Sequence, residues 1–104
     1  MQFKDILYEV KDDYAHVTIN RPKVLNAFTP VTLLELKTAL DAAEKDKEVG
    51  LIVLSGSGDR AFCSGGDMNW ESSKEFQDHE YEFHIHLTKC SKPIIAKVDG
   101  YAIG

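Results

Sequence analysis

The run Val49 to Leu54 (Val-Gly-Leu-Ile-Val-Leu), with the glycine-rich stretch behind it, constrains this chain more than any other feature. A short apolar run, β-branched in part and closed by Ser55-Gly56-Ser57-Gly58-Asp59, reads as a parallel-sheet strand buried on both faces. Ala61-Phe62-Cys63 is too short for a helix and leads into Ser64-Gly65-Gly66-Asp67. Glycine has no Cβ, so paired glycines allow positive φ and let a ligand or another backbone come close. Such a loop can aim bare N–H groups at one point, as stabilising an oxyanion requires. An ordinary tight turn carries the same signature, so the loop alone does not decide.

The flanking segments supply the frame. Phe3 to Val10 reads as a strand, Lys11-Asp12-Asp13 as a polar turn, and Tyr14 to Asn20 as a second strand. In the latter, Ala15, Val17 and Ile19 share one face, while His16, Thr18 and Asn20 share the other, which predicts a hairpin with one buried side. His16 is then expected to be a solvated strand histidine. Arg21-Pro22 ends the strand, and Thr29-Pro30 opens a helix, Thr as cap and Pro in the first turn. Leu33, Leu36, Leu40 and Ala43 recur at helical spacing as far as about Asp46. A second helical stripe, Phe76, Phe83, Leu87 and Cys90, is stopped by Ser91-Lys92-Pro93. Ile94 to Val98 is another strand and Asp99-Gly100 a turn.

A hairpin, a helix and an apolar strand make an α/β arrangement with the helix as crossover. The chain breaks off after Tyr101-Ala102-Ile103-Gly104, where a βα unit would open its next helix, and so reads as cut short. Its 104 residues, 43% hydrophobic and 28% charged, are a soluble composition for one domain at most. A formal net charge of −5 without a basic run argues against a nucleic-acid partner. No apolar stretch reaches membrane-spanning length and no secretory h-region opens the chain, so no membrane is expected and the cytoplasm is the expected location. Cys63 and Cys90 are then expected as free thiols.

Three motifs compete with the oxyanion reading. Gly56-Ser57-Gly58-Asp59-Arg60-Ala61 formally matches the dinucleotide fingerprint G-x-G-x-x-A, but that motif needs a helix to open at the loop, and Gly65-Gly66 opposes one. His79, His86 and Cys90 share a side of the second helix without a carboxylate or a fourth ligand, so no metal is expected. Cys63 has no general base placed beside it by sequence and reads as a packed thiol.

Four blocks, taken in order, resemble the crotonase (enoyl-CoA hydratase/isomerase) superfamily. They are Val17-Thr18-Ile19-Asn20-Arg21-Pro22; Asn26-Ala27-Phe28; Gly58-Asp59-Arg60-Ala61-Phe62-Cys63-Ser64-Gly65-Gly66-Asp67; and Lys92-Pro93-Ile94-Ile95-Ala96 with Gly100-Tyr101-Ala102-Ile103-Gly104. The wording of the second and third blocks leans toward the branch containing dihydroxynaphthoyl-CoA synthase and 2-ketocyclohexanecarboxyl-CoA hydrolase. Leu25, where such synthases tend to carry Arg, departs from it.

The resemblance implies a crotonase-like spiral of ββα units, of which residues 1–104 are the N-terminal part. It also implies acyl-CoA thioesters as substrates, with coenzyme A as part of the substrate and no separate cofactor. The thioester oxygen, an enolate during reaction, is held by two backbone N–H groups, of which Gly66 supplies the first. The second donor belongs to the residue after Gly104, and the acid/base carboxylates lie further on. The resemblance places Lys23, Val24, Ala61, Ser64, Gly65, Gly66, Asp67, Met68, Tyr101, Ile103 and Gly104 around the substrate, with the adenine end of CoA near Ala61 to Ser64. Asp67 reads as structural, holding the loop or capping the segment after it. Full-length relatives imply a homotrimer or hexamer.

Overall fold

The computed structural model describes residues 2–58, 60–67, 73–98 and 100–102, with Tyr101 described by its backbone alone. The elements are β1 (Ile6–Lys11), β2 (Tyr14–Ile19), a 3-10 turn (Pro22–Val24), α1 (Pro30–Lys45), β3 (Leu51–Gly56), β4 (Ala61–Cys63), α2 (Lys74–Lys89), β5 (Ile94–Lys97) and β6 (Tyr101–Ala102). Four strands form a sheet in the order β1-β2-β3-β5, and β4 pairs with β6 in a second, smaller sheet. Among the described residues, β1–β2 is the one antiparallel pairing; β2–β3, β3–β5 and β4–β6 run parallel. α1 is therefore the crossover between β2 and β3, as the order of elements in the sequence implies.

The register explains which face is covered. Ala15 lies opposite Ile52 and Val17 opposite Leu54, so these side chains stand on one face of the pleat. α1 packs there and α2 packs against α1, so that Ala15, Val17, Ile19 and Ile52 share one core with Leu33, Leu36, Leu40, Phe76 and Phe83. On the other face, Leu7 and Ile95 are 52% and 53% exposed.

Three expectations need correction. The apolar run at Val49 is not all strand: β3 begins at Leu51, and Val49 sits in the preceding turn, its N–H donating to Asp46 O at 3.1 Å. Val49 is apolar because it plugs the core from that turn, while within β3 both Ile52 on the core face and Ser55 on the opposite face are buried. Likewise β1 begins at Ile6 and not at Phe3. The N–H groups of Lys4 and Asp5 go to the Glu35 carboxylate, each at 2.7 Å, instead of to a neighbouring strand. His16 is not simply solvated either: its Nε2 lies 2.7 Å from Ser55 Oγ, which is 3.3 Å from Thr18 Oγ1.

α1 is fixed at both ends. Thr29 and Thr32 form a reciprocal capping box, each side-chain oxygen accepting the other's backbone N–H at 3.2 and 3.0 Å. The buried Asp5 carboxylate accepts both hydroxyls, from Thr32 at 2.7 Å and Thr29 at 3.3 Å. At the other end Lys92 Nζ donates to Ala43 O and Asp46 O, each at 2.7 Å, satisfying carbonyls that a helix C-terminus leaves open. Thr29→Ala should lower stability by about 1 kcal/mol, read as a reduced urea midpoint at unchanged slope. An unchanged midpoint would show that the cap contributes nothing. Among the described residues, no helix is long and apolar enough to cross a membrane.

Candidate functional site

Two loops meet where β3 ends. Gly56 closes β3 at a point where a Cβ would sit 2.5 Å from Phe62 O and 2.8 Å from both Ala61 O and Asn26 Nδ2. Only glycine leaves room there for the returning β4 backbone and the Asn26 amide. Asn26 is fully buried and, like Leu25 before it, lies in the left-handed region, with φ of 58° and 55°. Asparagine is among the few residues that tolerate this conformation. Its Oδ1 accepts the Arg21 N–H at 2.9 Å, and its Nδ2 donates to Ser57 O at 3.0 Å and Ala61 O at 2.8 Å. One side chain thus joins the end of β2, the β3–β4 turn and the start of β4.

The next residues frame the glycine pair. The Phe28 N–H donates to Gly65 O at 2.9 Å, and the Asp67 N–H donates to Phe28 O at 2.6 Å. This is the pattern of a parallel bridge between Phe28 and Gly66. In it the flanking residues make both bonds, and the residue between them turns its own N–H and C=O to the opposite side. Among the described residues, the Gly66 N–H has no hydrogen-bond partner. Gly65, with φ of 98°, makes the bend, and its N–H is used by Cys63 Sγ at 3.3 Å. Arg21 Nη1 donates to Ala27 O at 2.6 Å and lies 3.4 Å from Asp67 Oδ2, so it holds both sides of the frame. The result is a half-buried backbone donor whose direction is set by its neighbours.

A family model described as enoyl-CoA hydratase/isomerase matches residues 9–104. The chain belongs to the enoyl-CoA hydratase/isomerase family. Among solved structures, an enoyl-CoA hydratase/isomerase from Xanthobacter autotrophicus Py2 is 31% identical with a TM-score of 0.86, over 95% of this chain and 40% of that one. One from Mycobacterium paratuberculosis is 38% identical with a TM-score of 0.78, over 95% of this chain and 39% of that one. An enoyl-CoA hydratase from Rhodobacter sphaeroides 2.4.1 is 30% identical with a TM-score of 0.80, over 93% of this chain and 32% of that one. The chain spans less than half the length of each. The crotonase-like α/β fold expected from the four sequence blocks is the fold observed.

Within this enoyl-CoA hydratase/isomerase fold, most residues singled out from sequence gather around the two loops. Ala61 is buried in β4 with the Tyr101 backbone opposite it. Ser64 Oγ donates to Val24 O at 3.4 Å, which brings the glycine loop to the 3-10 turn carrying exposed Lys23 and Val24. Between that turn and the β3–β4 turn lies a small pocket of about 100 Å³, bordered by Pro22, Leu25, Gly58, Arg60 and Ala61. Met68, Ile103 and Gly104 lie outside the described residues.

The competing motifs find other uses. No helix opens after Gly56 to Ala61; strand β4 occupies that place, so the pyrophosphate site of a dinucleotide fold has no helix N-terminus to use. His86 Nε2 lies 3.1 Å from Asp41 Oδ1, and its Nδ1 lies 3.3 Å from Glu82 O. Among the described residues, no three His, Cys, Asp or Glu side chains converge as a metal site. Burial pushes the Cys63 thiol up from its usual range, and the Gly65 N–H offsets this only in part. The group is therefore a neutral thiol near pH 7, suited to packing and not to attack.

Asn26 and Arg21 are the residues that sequence reasoning did not single out for the site. Both stand inside the blocks that carry the family resemblance, and an asparagine directly before the Ala27-Phe28 segment was the available signal.

Proposed function

We propose that the Gly65-Gly66 loop is the oxyanion-binding element of an acyl-CoA enzyme of the hydratase/isomerase type. The observation that carries this reading is the Gly66 N–H: it is without a partner among the described residues, and its direction is fixed by bonds its neighbours make. Chemistry at the carbon next to a thioester puts negative charge on the carbonyl oxygen. A donor already in place stabilises that charge without reorganising as the charge develops. β6 runs parallel to β4, with Ala102 opposite Cys63, so both strands end on the same side as the glycine loop. This fits a second donor contributed by the residue after Gly104. The proton itself is moved by carboxylates beyond that point, since general acid–base work needs positioned side chains and Asp67 is committed to Arg21.

In this reading the nucleotide end of CoA lies along Ala61 to Ser64 and the 3-10 turn, with Lys23 and Arg60 as the nearby cations for its phosphates. The sequence wording around Asn26 and Gly58 to Asp67 favours a second reading, a ring-forming or ring-cleaving acyl-CoA enzyme of the same superfamily. Its oxyanion requirement is the same, so the loop serves either.

Calorimetry on the complete protein tests the ligand class. Crotonyl-CoA is expected to bind at least about tenfold more tightly than NADH, a difference of ~1.4 kcal/mol or more. Preference for NADH would instead favour a dinucleotide site at Gly56 to Ala61. Loss of the enoyl absorbance on incubation with crotonyl-CoA would favour the hydratase over its ring-acting relatives.

A further inference from the structure

We propose that Arg21 is a positioning residue for the Gly66 donor, an inference that rests on the oxyanion reading above. The Gly66 N–H is aimed by two backbone bonds, Phe28 N–H to Gly65 O and Asp67 N–H to Phe28 O, and neither involves Gly66 itself. Its direction is therefore only as stable as the alignment of residues 27–28 with residues 65–67. Among the described residues, Arg21 grips both segments, through Ala27 O at 2.6 Å and the Asp67 carboxylate at 3.4 Å. Its own root is fixed reciprocally with Asn26. The Arg21 N–H donates to Asn26 Oδ1 at 2.9 Å, and the Asn26 N–H donates to Arg21 O at 2.8 Å.

The chemistry suits arginine in particular. A guanidinium is planar and carries several donors in a fixed fork, so it can serve a carbonyl and a carboxylate together with little further loss of freedom. The two side chains are 21% and 14% exposed, so solvent and salt screen the pair less than they would at the surface. Asp67 comes directly after Gly66, so a pull on its carboxylate acts one residue from the donor. The pair thus converts a side-chain contact into control of a backbone N–H.

The test uses Arg21→Gln and Arg21→Lys, with two readouts. Hydrogen exchange compares the Phe28 and Asp67 amides, which report the frame, with those of Val17 and Leu36 in the core. Arg21→Gln is expected to lower protection at Phe28 and Asp67 by about tenfold or more while Val17 and Leu36 keep theirs. Arg21→Lys, which retains the charge opposite Asp67 but not the planar fork, should recover only part of it. In the complete protein acting on crotonyl-CoA, Arg21→Gln should lower kcat by roughly ten- to a hundredfold with KM nearly unchanged, as misalignment of a reacting group does.

Unchanged protection at Phe28 and Asp67 would overturn the proposal. So would an equal loss at all four amides in both variants, which marks Arg21 as a general stabiliser, or a rise in KM at constant kcat. A protein that binds no thioester at all would defeat the reading of Gly66. The exchange comparison would still decide whether Arg21 holds the frame.

Discussion

Asn26→Ala is expected to lower the unfolding free energy by roughly 3 kcal/mol, the largest single-residue loss of stability in this part of the fold. The substitution strips partners from three backbone groups, the Arg21 N–H, Ser57 O and Ala61 O. Each buried group left unpaired costs about 1–3 kcal/mol, and Ser57, lying in the turn, can recover part of its share from water. Set against a typical total of about 5–15 kcal/mol, the loss brings the chain close to its folding threshold. Asn26→Gly separates the two possible origins. Glycine adopts φ of 58° freely, so a conformational origin predicts near-complete recovery. Loss of hydrogen bonds predicts that Asn26→Gly stays nearly as unstable as Asn26→Ala. Urea midpoints of the three proteins decide between them.

Gly66→Pro is expected to lower turnover of a CoA thioester by roughly 10²–10³, the usual loss for one preorganised oxyanion donor. The geometry makes this substitution informative. The frame bonds belong to Gly65 O and Asp67 N–H, so removing the Gly66 N–H deletes the donor and leaves both in place. Gly66 is also absent from the glycines with positive φ, which are Gly58, Gly65 and Gly100 among the described residues, so proline's fixed negative φ has the required sign. A thermal melt must show the variant folded before its rate is read. Near-normal turnover by a folded Gly66→Pro protein would mean that the glycine pair is only a tight turn.

How far the sequence showed this in advance depended on the range of the interactions. The alternation of Ala15, Val17 and Ile19 and the Thr29-Pro30 start of α1 are local patterns, and both match the structure. Val49 misled because a core plug in a turn and a strand residue are equally apolar; what separates them is the bond from Val49 N–H to Asp46 O. His16 misled because its partner, Ser55, is 39 residues away on a strand that pairs in parallel. The same holds at the site. Gly65-Gly66 marks itself, since paired glycines are conspicuous. Asn26 does not, because its reach to Ser57 and Ala61 spans 31 and 35 residues. Arg21 and Asp67, 46 residues apart, pair only once β2, α1 and β3 have been laid down.

The chemical shift of the Gly66 amide proton tests the central claim most directly. Complete protein labelled with nitrogen-15 is titrated with an acyl-CoA thioester and, separately, with the matching thioether, which has the same CoA and chain but no carbonyl oxygen. If the Gly66 N–H receives the thioester oxygen, its proton resonance moves downfield with the thioester and stays near its free position with the thioether. The amides of Ala61 to Ser64, assigned to the nucleotide end, shift alike with both. A Gly66 resonance that ignores the thioester, or responds equally to both ligands, would contradict the assignment.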